Sequence, residues 1–349
     1  MSTFNDTFLK ACRGETTDYT PIWIMRQAGR YQPEYRKIRE KYTLVEICKH
    51  PEVCAEVTLL PVKQLKVDAA IIFSDIMVPL DAMGISFEIK ENIGPVIKNP
   101  IKSRQDIDKI HTFDAEIINY TGTAISMLRK ELTVPLIGFC GAPFTLASYL
   151  IEGGPSKNFI KTKTMMYSNP DDWHILMKKL SDGMFSYLKY QVAAGAQALQ
   201  VFDSWIGNLT PDDYSTYILP HMLRLFTELK ILNVPVIHFG FNASHLLELL
   251  QEAGGDVIEI DWKTDIAQAN ARLNEGEGLQ IPHIGLQGNL DPVILFAPQN
   301  IIEQKTKNIL DSIPQKGHIF NLGHGILPNT DVVKVKELVE FVHQYRRKA

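Results

Sequence analysis

The chain of 349 residues has little cysteine, and its cysteines form no motif typical of a metal site. The four are Cys12, Cys48, Cys54 and Cys140, with no Cys-x-x-Cys pair and none in the second half of the sequence. Zinc sites and disulfide frameworks need closely paired or regularly spaced cysteines. We therefore predict no metal, no disulfide and a reducing compartment.

Long hydrophobic runs and long basic tracts are also missing. No apolar stretch approaches membrane-spanning length, and the N-terminus is polar and acidic where a signal peptide needs an apolar core. The net charge is −4, and the one basic cluster is the short tail Arg346-Arg347-Lys348. We predict a cytoplasmic protein that binds neither a membrane nor nucleic acid.

Short apolar runs rich in Val and Ile recur along the chain. They are continuous rather than alternating, which is typical of strands buried on both faces. The runs are 21–25, 69–73, 134–140, 198–202, 234–239, 257–261, 281–286 and 318–322. Helical patterns separate several of them, at 51–65, 171–194, 211–232, 244–253 and 330–345.

This alternation predicts an α/β protein, and eight such units favour a (β/α)8 TIM barrel. A doubly wound open sheet is the alternative. The barrel is preferred because polar or glycine residues follow nearly every run and would meet at one mouth: Arg26, Asp75, Gly141, Ser204, His238, Asp261, Asn289 and His324. We expect residues 1–349 to form one domain with insertions in the βα loops.

Two long gaps between the predicted strands are expected to carry insertions. Residues 80–130 contain an apparent hairpin and then helical segments, which fits an excursion after the second strand. Residues 150–163 combine glycines, a proline and lysines, so they form either a mobile lid over the mouth or a plain solvated connector.

The segment from Pro21 to Arg36 is the most informative motif, because an apolar run breaks into a cluster of three arginines. Arg26 and Arg30 each present a planar, permanently charged fork of donors suited to carboxylates or phosphates. Gly29 lets the backbone approach a ligand closely. The competing interpretation is a solvated loop. The mix of Met25, Gln27, Ala28 and Gly29 at the end of a strand argues against it.

Four further residues could carry chemistry, each with an alternative. Asp75 is suited to binding N–H donors or to capping a helix, and Ser204 either donates to an anion or caps a turn. Tyr149 is either a binding or a packing residue. His324 lies between two glycines, a poor place for a core histidine, which favours function.

No complete nucleophile triad, HExxH motif or P-loop is present, so the protein is expected to need no cofactor. The arginines, one aspartate, one tyrosine and one histidine suit a polycarboxylate ligand. The residues alone do not name a reaction.

The chain resembles the uroporphyrinogen decarboxylase family over nearly its whole length. The motifs lie in the family's order, at 21–36, 73–84, 138–154, 288–292 and 321–328. The resemblance implies a (β/α)8 barrel, usually a homodimer, that converts the four acetates of uroporphyrinogen to methyls without a metal or organic cofactor. One departure is FDSW at 202–205, where some members carry an acidic residue followed by Ser-His.

By the same resemblance, Arg26 and Asp75 would act in catalysis, with Asp75 accepting the pyrrole N–H bonds. Substrate binding would involve Arg26, Gln27, Ala28, Gly29, Arg30, Asp75, Tyr149, Ser204 and His324. The proton donor stays open between Arg26, His324 and a bound water.

Two rival functions are a zinc-dependent, corrinoid-linked methyltransferase of the same superfamily and a non-catalytic tetrapyrrole-binding protein. The first needs a His-x-Cys pair and a later Cys, whereas His238-Phe239-Gly240 lacks the cysteine. The second would not need Asp75 as a catalytic group.

Overall fold

The computed structural model describes residues 3–90, 93–275 and 283–347, in which parallel strands alternate with helices. The strands are β1 (Ala70–Ile71), β2 (Phe87–Lys90), β3 (Gly94–Ile97), β4 (Leu136–Gly141), β5 (Ala198–Asp203), β6 (Val236–Gly240), β7 (Val257–Ile260), β8 (Gly285–Leu290) and β9 (His318–Leu322).

The α-helices are α1 (Thr7–Cys12), α2 (Pro33–Arg39), α3 (Leu44–Lys49), α4 (Pro51–Leu65), α5 (Val78–Asp81), α6 (Arg104–Asp108), α7 (Asn119–Glu131), α8 (Pro143–Glu152), α9 (Ile160–Ser168), α10 (Pro170–Ala194), α11 (Pro211–Tyr217), α12 (Leu219–Leu229), α13 (Leu247–Ala253), α14 (Ile266–Asn274), α15 (Gln299–Ser312) and α16 (Val332–Gln344). None of these described helices is both long and apolar enough to cross a bilayer.

The main sheet closes into a barrel. Its strands pair in parallel in the order β1-β4-β5-β6-β7-β8-β9. Residues 21–24 fill the remaining position, because Ile22 bridges Phe320 of β9 in parallel and its carbonyl accepts from the Asp68 N–H at 2.8 Å. The predicted (β/α)8 architecture is confirmed.

The first two predicted strands are shorter than expected because side chains replace backbone partners. The Ile22 N–H donates to the Asp68 carboxylate at 2.8 Å rather than to a strand carbonyl. At the end of β1, the Phe73 N–H donates to the Thr58 hydroxyl at 3.0 Å, and the Phe73 carbonyl accepts from the Cys54 thiol.

The strand predicted at 281–286 is β8, and it begins later than predicted, at Gly285. Residues 281–282 of the prediction lie outside the described ranges. Ile284 makes hydrogen bonds with the Asn274 side chain through both its N–H and its carbonyl. Asn289 therefore lies within β8 rather than after it, and its amide donates to the Asp261 carbonyl at 2.9 Å.

Two other residues expected after strands also lie within them. Gly141 is the last residue of β4, and His238 lies inside β6. His238 is fully buried, and its ring lies 4.7 Å from that of Phe226 on α12, outside the barrel. The expectation that His238 faces the mouth is wrong, because alternate residues of a strand point to opposite faces.

The insertion after the second strand contains the predicted hairpin. β2 and β3 pair antiparallel, with Phe87 opposite Ile97. The Ile97 N–H donates to the Gly153 carbonyl at 2.9 Å, which fixes the hairpin to the segment after α8. Helix α4 has the predicted bounds, whereas the predicted helix 211–232 breaks between α11 and α12 next to Pro220.

A chain of polar side chains crosses the barrel interior. The Trp23 indole N–H donates to the Gln287 Oε1 at 2.8 Å, and the Gln287 Nε2 donates to the Gln200 Oε1 at 3.2 Å. The Gln200 Nε2 then donates to the Glu259 carboxyl. All four side chains are fully buried, and burial raises the pKa of Glu259 to about 8.

This interior carboxyl predicts a pH dependence of stability. An unfolded Glu has a pKa of about 4.3, so between that value and about 8 the folded protein binds more protons than the unfolded chain. The contribution of Glu259 is complete below the unfolded pKa and is lost as the pH rises through 8. We expect Glu259→Gln to flatten the fall in unfolding free energy between pH 5 and pH 8.

Urea unfolding at a series of pH values measures this change. Glu88→Gln, which alters an exposed glutamate of β2, is the control and should retain the wild-type pH dependence. An unchanged slope in Glu259→Gln would mean that the interior carboxyl is ionised in the folded protein.

Candidate active site

Residues 21–24, which complete the barrel, are called the closing segment, and Arg26 lies just beyond its end. The preceding residue, Met25, is hydrogen-bonded through both its N–H and its carbonyl. The Met25 N–H donates to the Asn321 Oδ1 at 2.9 Å, and the Met25 carbonyl accepts from the Ile326 N–H at 3.0 Å. Arg26 itself has a left-handed φ of 62°, which is uncommon outside glycine. Its side chain lies across Gly325, where an added Cβ would come within 2.4 Å of the Arg26 Cδ.

Asp75 follows β1 and combines both roles considered from the sequence. Its Oδ1 accepts from the Met77 N–H at 2.9 Å, which caps the turn. Burial raises the pKa of the carboxyl, while the Met77 N–H and the charge of Arg26 lower it. As a whole, residue Asp75 is half-buried.

Tyr149 on α8 lies beside the end of β5. Its ring centre is 4.0 Å from that of Trp205, which directly follows Ser204. Burial and, to a smaller extent, the charge of Asp75 outweigh the opposing charge of Arg26 and raise the pKa of Tyr149 to about 12. The Tyr149 hydroxyl therefore stays protonated near neutral pH and can donate a hydrogen bond.

His324 follows β9 and is neutral near pH 7. Its Nδ1 accepts from the Gly325 N–H at 2.7 Å, which leaves the proton of the neutral ring on Nε2. Burial, followed by the charge of Arg26, lowers the pKa of His324 to about 4. The ring is a hydrogen-bond donor through Nε2 rather than a cation.

The predicted residues converge, although they are spread over some three hundred positions. The charge of Arg26 acts on Asp75, Tyr149 and His324, which come from two other loops and helix α8. Ser204 directly precedes Trp205, whose ring stacks on that of Tyr149. One cation, one carboxylate and several donors thus share the carboxyl ends of the strands, where (β/α)8 barrels hold their active sites.

Gln27 differs from the rest of its motif because its side chain makes hydrogen bonds to backbone groups inside the protein. It is fully buried, with Oε1 accepting from the Ile24 N–H at 3.1 Å and Nε2 donating to the Ala69 carbonyl at 3.0 Å. These bonds support the Arg26 turn. Of the remaining predicted residues, Ala28 and Gly29 are half-buried and Arg30 is exposed.

A row of aromatic rings lines one side of the barrel beneath the mouth. Edge-to-face contacts join Phe139 to Phe202 at 5.4 Å between ring centres and Phe202 to Phe239 at 5.8 Å. The row ends at His324, whose ring lies 4.8 Å from that of Phe241. Such a wall leaves little polar surface for water, which strengthens electrostatic interactions nearby.

Sequence reasoning missed Lys263 and its surroundings. The Lys263 ammonium donates to the Asn242 Oδ1 at 2.9 Å and lies 5.6 Å from the ring centre of Trp262 and 5.8 Å from that of Phe241. Both rings also contact His324 edge-on. The position after β7 could have signalled this cation, because loops that follow strands form the mouth.

Trp205 and the preceding Asp203 were also missed. Trp205 is the centre of an aromatic stack at the mouth, and Asp203 is a fully buried carboxyl. The motif FDSW drew attention to Ser204 only, because the partners of the other two lie on α8 and in the loop before α9.

The segment 150–163 is helical at its start and fixed near its end. Residues up to Glu152 belong to α8, and the Glu152 Oε1 accepts from the Thr162 N–H at 2.9 Å and from the Thr162 hydroxyl at 3.0 Å. Phe159 packs on Trp205 with 4.9 Å between ring centres. Only residues 153–159 form a loop between α8 and α9.

Histidine, cysteine and acidic side chains do not gather into a metal site within the described ranges, since no group of three or more is placed to hold an ion. All four cysteines are buried as free thiols. His238, which a His-x-Cys zinc site would use, lies outside the barrel.

Comparisons with known proteins identify the family of this chain. A sequence profile described as uroporphyrinogen decarboxylase (URO-D) matches residues 3–345. The chain is 53% identical over 344 residues to the uroporphyrinogen decarboxylase of Carboxydothermus hydrogenoformans, covering 97% of this chain and 96% of that protein. It is 54% identical over 346 residues to that of Bacillus subtilis, covering 98% and 96%.

A solved methyltransferase from Methanosarcina mazei superposes with a TM-score of 0.80 over 98% of each chain. At 18% identity, this similarity shows a shared fold and nothing further. The family itself rests on the sequence profile and the relatives above. The chain belongs to the uroporphyrinogen decarboxylase family.

Proposed function

We propose that this protein removes carbon dioxide from the four acetate side chains of uroporphyrinogen III, leaving methyl groups and giving coproporphyrinogen III in haem biosynthesis. Family membership supports the reaction class, which is that of a carboxy-lyase. The observation that carries the proposal is the grouping of Arg26, Asp75, Tyr149 and His324 at one mouth.

The charges at this mouth suit a ring with acidic edges and N–H groups at its centre. Arg26 and Arg30 would pair with the substrate carboxylates, and Asp75 would accept the pyrrole N–H bonds. Tyr149, Ser204 and the Nε2 of His324 would donate to further carboxylates. Gln27, Ala28 and Gly29 would contribute backbone contacts, because the Gln27 side chain is already bonded inside the protein.

The chemistry follows from these charges. A proton added to a pyrrole ring carbon produces a cationic iminium, which accepts the electron pair of the C–C bond as carbon dioxide leaves. The former acetate carbon then takes up a proton, and the ring carbon returns its own, giving the methyl group. Asp75 stabilises the cationic intermediate. This electrostatic interaction is stronger in the transition state, where positive charge develops, than with the neutral substrate.

His324 is a poor source of the first proton. Its pKa is lowered to about 4, so near neutral pH little imidazolium is present. We assign His324 to hydrogen bonding with a substrate carboxylate, and Arg26 or a bound water to proton transfer. An arginine guanidinium holds its proton too tightly to be an effective acid near neutral pH, which favours the water.

We also propose that the chain acts as one domain, without a metal or organic cofactor, as a homodimer in the cytoplasm. Support for the single domain comes from the profile match across residues 3–345. The remaining points rest on the resemblance to the family. Uroporphyrinogen is then the small-molecule partner.

Turnover is tested by anaerobic incubation of the purified protein with uroporphyrinogen III in the presence of EDTA. The porphyrins are then oxidised and separated according to carboxylate number. We expect the four-carboxylate product, since the proposed steps use only side chains and water. Unchanged substrate with folded protein would refute the decarboxylase, and activity that requires added metal would refute cofactor independence.

Asp75→Asn tests the carboxylate. The asparagine Oδ1 can keep the Met77 cap, so the fold should persist while kcat falls by about 10²–10³, as for loss of one transition-state electrostatic partner. Asp114→Asn is a matched control, because Asp114 is an exposed capping aspartate that accepts from the Glu116 N–H. Full turnover by Asp75→Asn would show that the Asp75 carboxylate has no role in the catalytic step.

Arg26→Ala tests the proposed carboxylate contact. We expect kcat/KM to fall by about 10- to 100-fold, the usual loss for a charge-assisted hydrogen bond. Arg39→Ala is the control, because Arg39 ends α2 and its guanidinium donates to the Tyr42 carbonyl at 2.7 Å in the turn that follows. Equal kinetics for the two variants would remove Arg26 from the binding site.

A further inference from the structure

A fully buried carboxyl lies directly behind the proposed substrate wall. Asp203 is the last residue of β5 and precedes Ser204. Its Oδ1 accepts from the Thr145 hydroxyl at 2.7 Å, and its Oδ2 has no partner among the described residues. Burial raises the pKa of Asp203 to about 7. A carboxyl in such surroundings costs stability, so packing alone does not explain it.

The Thr145 hydroxyl connects this carboxyl to the backbone through two hydrogen bonds. A hydroxyl has one proton to donate, and here that proton goes to Asp203. The Thr145 oxygen therefore turns a lone pair toward the Trp205 N–H, which donates to it at 3.3 Å. The turn containing Ser204 is thus fixed at both ends, by β5 before it and by this bond after it.

The same helix that carries Thr145 also carries Tyr149, one turn later. Residues four apart lie on the same face of a helix. The Trp205 ring lies between Tyr149, at 4.0 Å, and Phe159, at 4.9 Å between ring centres. Helix α8 and the β5 turn are therefore joined at two points, one a backbone hydrogen bond and the other a ring stack.

We propose that Asp203 and Thr145 form a positioning pair that sets the places of Ser204 and Tyr149, and thereby the affinity for the carboxylate side chains of the substrate. Neither member of the pair touches the substrate. The inference rests on the proposed decarboxylation, because Ser204 and Tyr149 are binding residues only in that reaction.

The pair predicts a specific kinetic pattern. Ser204 and Tyr149 would bind substrate side chains equally in the ground and transition states, so their displacement raises KM more than it lowers kcat. We expect Thr145→Val to raise KM about tenfold with kcat within about threefold of wild type. Thr145→Ser, which keeps the hydroxyl, should restore the wild-type KM.

A double-mutant cycle tests whether the two residues act together. Asp203→Leu removes the acceptor with similar volume, and the double variant with Thr145→Val should be no worse than either single variant. Thr306→Val is the control, because Thr306 is a fully buried threonine on α15, away from the mouth. It should leave KM unchanged.

Assays run on proteins shown to be folded by circular dichroism, with KM and kcat measured separately. If Asp203→Leu does not fold, Thr145→Val and Thr145→Ser decide the question alone. Wild-type KM in a folded Thr145→Val, failure of Thr145→Ser to restore KM, or additive effects in the cycle would each overturn the pair. An inactive wild-type protein would instead refute the decarboxylation.

Discussion

The barrel depends on one buried carboxylate at its seam. Asp68 accepts from the Ile22 N–H at 2.8 Å and from the Tyr19 hydroxyl at 2.6 Å. It also contacts the Asn5 amide at 3.0 Å and the His343 Nε2 at 2.8 Å. A single side chain thus joins the N-terminal segment, the closing segment and the last helix. Without this acceptor the Ile22 N–H would be buried and unpaired, a costly state.

The closed seam explains why the arginine turn can be irregular. Arg26 adopts a left-handed backbone, which costs free energy in a residue with a Cβ. The bonds of the Gln27 side chain to Ile24 and Ala69, and the bond between Asn321 and Met25, hold this turn in place. The rigid barrel therefore supports the strained turn that directs the guanidinium across the mouth.

The sequence predicted most of the fold and fewer of its details. Continuous apolar runs located the strands, because burial on both faces leaves a local signature. Boundaries failed where a distant side chain replaced a ladder partner, as Thr58 does for Phe73 and Asn274 does for Ile284. The polar chain from Trp23 to Glu259 was also missed, since nothing local marks residues from three strands and from 21–24 as neighbours.

In the candidate site too, the sequence predicted which residues meet better than it predicted their contacts. Arg26, Asp75 and His324 follow strands, so the barrel alone predicted that they would meet, whereas Tyr149 lies on α8. The roles expected of these residues came from the family resemblance. Gln27 was expected to bind substrate, but its side-chain amide is bonded within the protein. The Asp203–Thr145 contact was beyond reach because its two residues lie on different elements.

The bridge between Ile22 and Phe320 also has a consequence for how the chain is made. The ribosome synthesises the segment around Ile22 well before the strand that contains Phe320. Until β9 has emerged, Met25 lacks the Asn321 acceptor that holds it. A nascent chain therefore carries Arg26 before the bond that holds its turn can form, and the candidate site is assembled only after β9 has emerged.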